Sequence, residues 1–347
     1  MSQNSRLSIF DLPIPFDDMR AIEVILRQED LFCTSCPDLD VYSVGFYHSQ
    51  AELHNVGATI VLDRNVCARV VELAEGRPAT HDNRIAAAVM AFGQCANIKF
   101  EPALAVYEGI ATKAKNGASQ ELALFRTADN MHPSNFADIA LGKSSCIIIE
   151  PSPAKVHPEV ISPQRLREYS YIYPAVLKIA LLELVGGPMA LRMRSFLDWS
   201  FDRWYMIAAA TALAAMLFSP SPPGKALKDL RNSNRSLALE GVRNCAWDLT
   251  YITVWLELLR MQSDKNCLYS FCSRDKVLRR VAQHMLGGPN TETMLQGLLG
   301  TDVRDLYVQL VARQHEMGRA INQSGSRDAA YGLQITSTLE QQMQGPV

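Results

Sequence analysis

Residues 57–66 read GATIVLDRNV, an apolar run from Ala58 to Leu62 that stops at Asp63 and Asn65 and passes directly into a helical pattern. Ile60, Val61 and Leu62 are β-branched or aliphatic without alternation, the pattern of a strand covered on both faces of a parallel sheet. Asp63 then stands at the carboxyl end of that strand, the edge where open α/β sheets bind ligands. Asn65 is expected to cap the next helix, whose apolar positions Val66, Val70 and Leu73 recur at spacings of four and three until Gly76 and Pro78 stop it.

Around this stretch the chain has 347 residues, 48% of them apolar, enough for one large domain or two ordinary ones. A formal charge of −2 gives no global attraction to nucleic acid or to an anionic membrane, so such a partner must be met by a local patch. Eight cysteines are scattered through the sequence, and Cys67, Cys95, Cys146 and Cys245 sit in apolar surroundings. That usage fits buried, reduced thiols and a cytoplasmic protein. Cys33 and Cys36 form a C-x-x-C with no second pair to complete a zinc site. The N-terminal residues lack the regions of a signal peptide, and the longest apolar run, Met206 to Phe218, is about thirteen residues, too short for a bilayer. No membrane partner is expected.

In chain order, residues 1–56 read as a leader with a helix over Met19–Arg27 and a strand over Val41–Tyr47. Residues 57–126 form the first half of an α/β core: the strand ending at Asp63, helices from Val66 and from Arg84, a short strand at Asn97–Phe100, and a helix opened by Pro102. Residues 127–234 are loop formers followed by apolar helical stretches, Tyr169–Val185 and Phe196–Phe218, with a strand-like run at Cys146–Ile149. Residues 235–321 resume the core. Val242, Cys245, Leu249, Ile252, Leu256 and Leu259 keep helical spacing, CLYSFC (267–272) reads as a buried strand, and Asp275 precedes a further helix. A last helix covers Thr301–Ile321, and the Gln- and Ser-rich residues 322–347 are expected to be loose.

Four carboxylates share this pattern. Asp63 and Asp275 follow strands, whereas Glu108 and Asp248 lie at the margins of helical stripes. Hard cations such as Mg²⁺ and Mn²⁺ prefer oxygen ligands, and a carboxylate cluster leaves coordination positions for water and phosphate. A bound ion would lower the pKa of an attacking water and offset charge on the leaving oxygen of a phosphodiester. Each acid also has a structural role open to it, as a helix cap or a solvated charge. Crowded without a cation, four carboxylates would raise one another's pKa, so Asp63→Asn is expected to melt higher than wild type in the absence of metal.

VLDRNV, YEG after a Pro-initiated helix, NCAWDLTYI and YSFCSRDKVL together resemble, in order, the four acidic motifs of the PIN-like nuclease superfamily. The resemblance spans about residues 57–115 and 236–286. It implies a Rossmann-like parallel sheet of PIN-like type, a large all-helical insertion in the roughly 140 residues between Glu108 and Asp248, and a metal-dependent nuclease. Asp63, Glu108, Asp248 and Asp275 would then be both the catalytic and the metal-binding residues, with Mg²⁺ or Mn²⁺ as cofactor. Glu108 is favoured as the second acid over Glu101, whose position beside Pro102 suits a helix N-terminus. RNA is favoured over DNA as substrate, with a toxin or defence role by family analogy, and a homo-oligomer or an inhibitor protein as the protein partner such enzymes admit. The competing reading is a catalytically silent scaffold of the same fold.

Arg64, Asn65, Arg274, Lys276 and Arg279 flank the two strand-tip acids and are the expected phosphate contacts. Other motifs carry less. Gly142-Lys143-Ser144 lacks the first glycine and the following helix of a phosphate loop. Asn65 stands where a haloacid-dehalogenase-type phosphatase needs a second Asp. Asp198 and Asp202 sit among arginines on one helix face, and the histidines show no ligand spacing.

Overall fold

The computed structural model describes residues 11–35, 38–112, 115–147, 166–222, 227–286, 291–321 and 329–345. They form an α/β protein, mostly helical, with one small mixed sheet, in two compact units. The first comprises Met1–Ile161 with Glu257–Arg274, the second Ser162–Leu256 with Asp275–Val347.

The first unit contains, in order, α1 (Phe16–Glu29), β1 (Phe32–Cys33), α2 (Val44–His54), β2 (Gly57–Leu62), α3 (Arg64–Ala74), α4 (His81–Cys95), β3 (Lys99–Glu101), α5 (Ala103–Thr112), α6 (Lys115–Asp129) and α7 (Pro133–Ala140). In the second lie α8 (Leu166–Val185), α9 (Met189–Arg203), α10 (Ala208–Leu217) and most of α11 (Arg235–Arg260). The chain then returns to the first unit for α12 (Gln262–Lys265) and β4 (Cys267–Cys272). It ends in the second with α13 (Lys276–Leu286), α14 (Thr291–Leu299), α15 (Thr301–Ile321) and α16 (Ala329–Gln344).

The sheet order is β1-β4-β2-β3. β2 runs parallel to both β3 and β4, and β1 pairs antiparallel with β4. β2 is central because Ile60, Val61 and Leu62 are all buried, which only an interior strand allows. After β2 the chain turns first to β3 on one side and much later to β4 on the other, so the strand order reverses between β2 and β4. Their ends are in register, Leu62 opposite Cys272.

Several expectations are corrected. Of residues 1–56, expected as a leader, the described Met19, Ile22, Leu26, Val44 and Tyr47 pack in the same hydrophobic cluster as Ile60 and Leu62. Val41–Tyr47 is not a strand. Ser43 caps α2 by accepting from Phe46 N at 3.4 Å, and the strand that joins the sheet is β1, where Tyr42 Oη accepts from Phe32 N at 2.9 Å. Phe196–Phe218 is two helices, since Trp204 leaves helical geometry and donates its indole N–H to the Tyr171 carbonyl at 2.7 Å. The tail is helical over α16, because Tyr331, Ile335, Leu339 and Met343 recur every four residues and bury Leu339 and Met343. Of the strand expected at Cys146–Ile149, Cys146 and Ile147 are irregular and the rest lies outside the described residues. No described helix is long and apolar enough to cross a membrane.

Candidate functional site

Asp63 leaves β2 with its backbone N–H donating to Cys272 O at 3.0 Å, which holds it at the point of strand reversal. It, and not Asn65, caps α3: Oδ1 accepts from the N–H of Asn65 and, at 3.3 Å, of Val66. Oδ2 accepts from the hydroxyl of Ser273, the first residue after β4, which is fully buried. Asp63 itself is 1% exposed. A carboxylate so surrounded by donors is stabilised in its charged form. These donors offset the charge of Asp63, a contribution that the expectation of a higher-melting Asp63→Asn did not include.

Glu108 is half-buried on α5, which packs against α3 and α6. Its charge acts on Arg64, whose guanidinium donates to Ala105 O at 3.0 Å and pairs with Glu121 at 2.8 Å. Burial pulls the Arg64 pKa down, but the hydrogen bond and charge of Glu121 outweigh it and the net shift is upward. Arg64 is therefore engaged inside the unit. Glu101 accepts from Ala103 N at 2.9 Å, the helix-terminal role open to it from its position. Nearby, the Cys67 thiol is pushed up from 9.0 to about 12, chiefly by burial.

In the second unit, Asp275 caps α13 through Oδ1, accepting from Val277 N at 2.8 Å and Leu278 N at 3.1 Å. Its side chain is 22% exposed, and Lys228 Nζ lies 4.0 Å from Oδ2. Lys228 reaches this place because its backbone passes over Gly241 of α11, where a Cβ would fall 2.0 Å from the Lys228 carbonyl oxygen. Asp248, also on α11, and Asp275 line one cavity of about 20 Å³ with Cys245, Leu249, Leu278 and Val281, room for about one water-sized group. Both acids act on Cys245: burial first, then the charges of Asp248 and Asp275, push its thiol well above its ordinary value, against the pull of Lys228.

The expected phosphate contacts divide. Asn65 and Lys276 are exposed. Arg274 is paired with Asp82, whose carboxyl it holds below the usual range through their hydrogen bond, and Arg279 is buried at 8% exposure. Among the described residues, no group of three or more His, Cys, Asp or Glu is arranged to hold a metal ion. The structure thus brings Asp248 and Asp275 to one cavity, and Asp63 to Ser273. Sequence reasoning passed over Ser273, Lys228 and Glu121. For Glu121 a signal existed, since Ala118, Glu121, Leu122 and Phe125 keep the spacing of one buried helix face. No protein-family model, curated protein or solved structure matches the chain.

Proposed function

We propose that the protein is a divalent-metal-dependent nuclease of PIN-like type that cleaves phosphodiester bonds, with RNA favoured as substrate. The observation that carries this reading is that Asp248 and Asp275 line a single cavity. Two carboxylates there offer the oxygen donors that Mg²⁺ or Mn²⁺ takes, in a space of about the size of one ion. Such an ion, when bound, supplies a water of lowered pKa and charge compensation at the leaving oxygen. Asp275 would hold it through Oδ2 while Oδ1 keeps the helix cap, and Lys276, exposed at the start of α13, would meet substrate phosphate. Asp63 and Glu108, in the first unit, are the other two acids to which the resemblance gives a role.

The test is incubation of the purified full chain with labelled single-stranded RNA, duplex DNA and a flap substrate, in Mn²⁺ or EDTA. The expected result is RNA cleavage that needs Mn²⁺ and is lost in Asp248→Asn and Asp275→Asn with the circular dichroism spectrum unchanged. Cleavage that persists in EDTA, or that survives both substitutions, would overturn the proposal. A specific observation favours a second reading, the catalytically silent scaffold: both strand-tip aspartates serve as helix caps, and Asp63 is buried against Ser273. A scaffold would bind its partner and cleave nothing under any metal condition.

A further inference from the structure

Away from these acids, the second unit contains a cavity of about 500 Å³, within the range of small-molecule sites. Arg231, Asn232, Ser233, Arg235 and Gln344 line it, and none of its described lining residues is acidic. Every one of those five side chains can donate a hydrogen bond.

Arg235 is bound in an unusual way for a guanidinium. Nε donates to Met343 O at 2.8 Å, and Nη1 donates to Leu230 O at 3.0 Å and Asn232 O at 3.4 Å. Nη2 is buried and has no hydrogen-bond partner. Neutral carbonyls hold the group in place but do not balance its charge, and an unmade donor in a buried position is costly. Arg231, 71% exposed, lies 3.7 Å from one oxygen of Glu183, whose other oxygen pairs with Arg192. One carboxylate therefore serves two guanidiniums, and Arg235 adds a third positive charge, so the cavity has an excess of cations. A fork of N–H donors with excess positive charge matches the oxygens of a phosphate.

We propose that this cavity binds the phosphate monoester of a small phosphorylated ligand of about mononucleotide size, with Arg231, Asn232, Ser233 and Gln344 as donors and the charge of Arg235 held in the wall. The phosphate would offset the charge of Arg235, which its neutral carbonyl partners leave unbalanced. The same group is found on a free nucleotide, on inorganic phosphate and on the 5′ end of an oligonucleotide, and the test separates them. This inference does not depend on the nuclease reading.

The experiment is titration calorimetry of the full chain in EDTA with inorganic phosphate, AMP, adenosine, and an RNA oligomer with a 5′-phosphate or a 5′-hydroxyl. Saturable binding of phosphate and AMP, without binding of adenosine, is expected. Because Arg235 also ties backbone segments together, Arg235→Gln could unfold the unit, so Ser233→Glu, at an exposed residue on the cavity wall, is the second variant. It should weaken AMP binding about tenfold or more by like-charge repulsion with the fold intact. Binding of the 5′-phosphorylated oligomer alone would keep the phosphate chemistry and assign it to a nucleic-acid end. Absence of saturable binding for every phosphorylated probe, or equal AMP binding in wild type and Ser233→Glu, overturns the proposal and leaves Arg235 as a backbone clamp. Loss of the nuclease reading would look different: no cleavage, with phosphate binding intact.

Discussion

Asp63 and Asp275 follow strands and cap the helices that come next, yet their surroundings separate them. Asp63 is 1% exposed, and both of its oxygens accept bonds, from two backbone N–H groups and from the buried Ser273 hydroxyl. The Asp275 side chain is 22% exposed, has Lys228 Nζ at 4.0 Å, and shares a cavity with Asp248. One local design thus produces two kinds of carboxylate. The buried aspartate holds the strand end and the helix start together through three donors, whereas the partly exposed one lies beside a second acid and a lysine. Burial and neighbours, not the strand–Asp–helix pattern, decide which role an aspartate has.

The largest effect that tests this contrast is on cleavage. Asp248→Asn and Asp275→Asn should lower Mn²⁺-dependent RNA cleavage by at least about a hundredfold, since a displaced ion forfeits several kcal/mol of charge stabilisation. Their unfolding midpoints without metal should move little. Turnover at the wild-type rate in either variant would show that the cavity is not the metal site.

Next in size are the effects on folding. Asp63→Ala removes a cap and the carboxylate that accepts from the buried Ser273 hydroxyl, for a loss of about 2–4 kcal/mol. Asp275→Ala removes a cap in a wetter place, at about 1 kcal/mol. The four tryptophans, Trp199, Trp204, Trp247 and Trp255, all belong to the second unit, so their fluorescence follows that unit while circular dichroism follows both. Asp63→Ala should shift the dichroism transition more than the fluorescence one, and Asp275→Ala the reverse. Equal losses in the two variants would erase the distinction drawn between the acids.

Much of the scaffold was legible because its elements have strong local patterns. Ile60–Leu62 announced a central strand, the spacing from Val242 to Leu259 announced α11, and Thr301–Ile321 is helical as expected. What escaped had ambiguous local signals. Val41–Tyr47 is rich in the β-branched and aromatic residues of a strand, but Ser43 offers a helix cap and the aromatic rings of Tyr42 and Phe32 stack with centroids 5.0 Å apart. In α16 a four-residue apolar spacing was hidden by its glutamines, and no glycine or proline marks the break at Trp204. Of the site, the strand-tip position of Asp63 was readable from its neighbours. That Asp248 and Asp275 share a cavity was not, since it depends on packing between residues distant in the chain. Nor could spacing show that Ser273 would meet Asp63, a contact made by the pairing of β2 with β4.

A moderate effect should come from metal. If Asp248 and Asp275 take up Mn²⁺, the ion binds the native state and stabilises it as its concentration rises above its dissociation constant. The fluorescence transition of wild type should rise with Mn²⁺, that of Asp275→Asn should rise less, and Asp63→Ala should keep a rise like that of wild type. A shift abolished by Asp63→Ala, in a protein still folded by dichroism, would bring the buried aspartate into the ligand set and end the contrast.

The smallest effect concerns pH and compares the buried thiols of the two units. In the first, Cys67 is pushed up to about 12 and Cys95 to about 11 from an ordinary 9.0, both through burial. The folded protein therefore keeps these protons after the unfolded chain has lost them. The stability that depends on them is whole below pH 9 and is lost as pH rises through 11 to 12. Cys245 in the second unit is raised as well, but Asp248 and Asp275 contribute there after burial. Neutralising Asp275 as Asn should bring the Cys245 thiol down toward its ordinary value and flatten the alkaline loss followed by tryptophan fluorescence. Cys67→Ala should flatten the loss followed by dichroism and leave the fluorescence slope unchanged. The measurement is urea unfolding at a series of pH values from 8 upward with both probes. A fluorescence slope that Asp275→Asn leaves untouched would mean that burial alone sets the Cys245 thiol, and that the two acids do not act on the cavity they line.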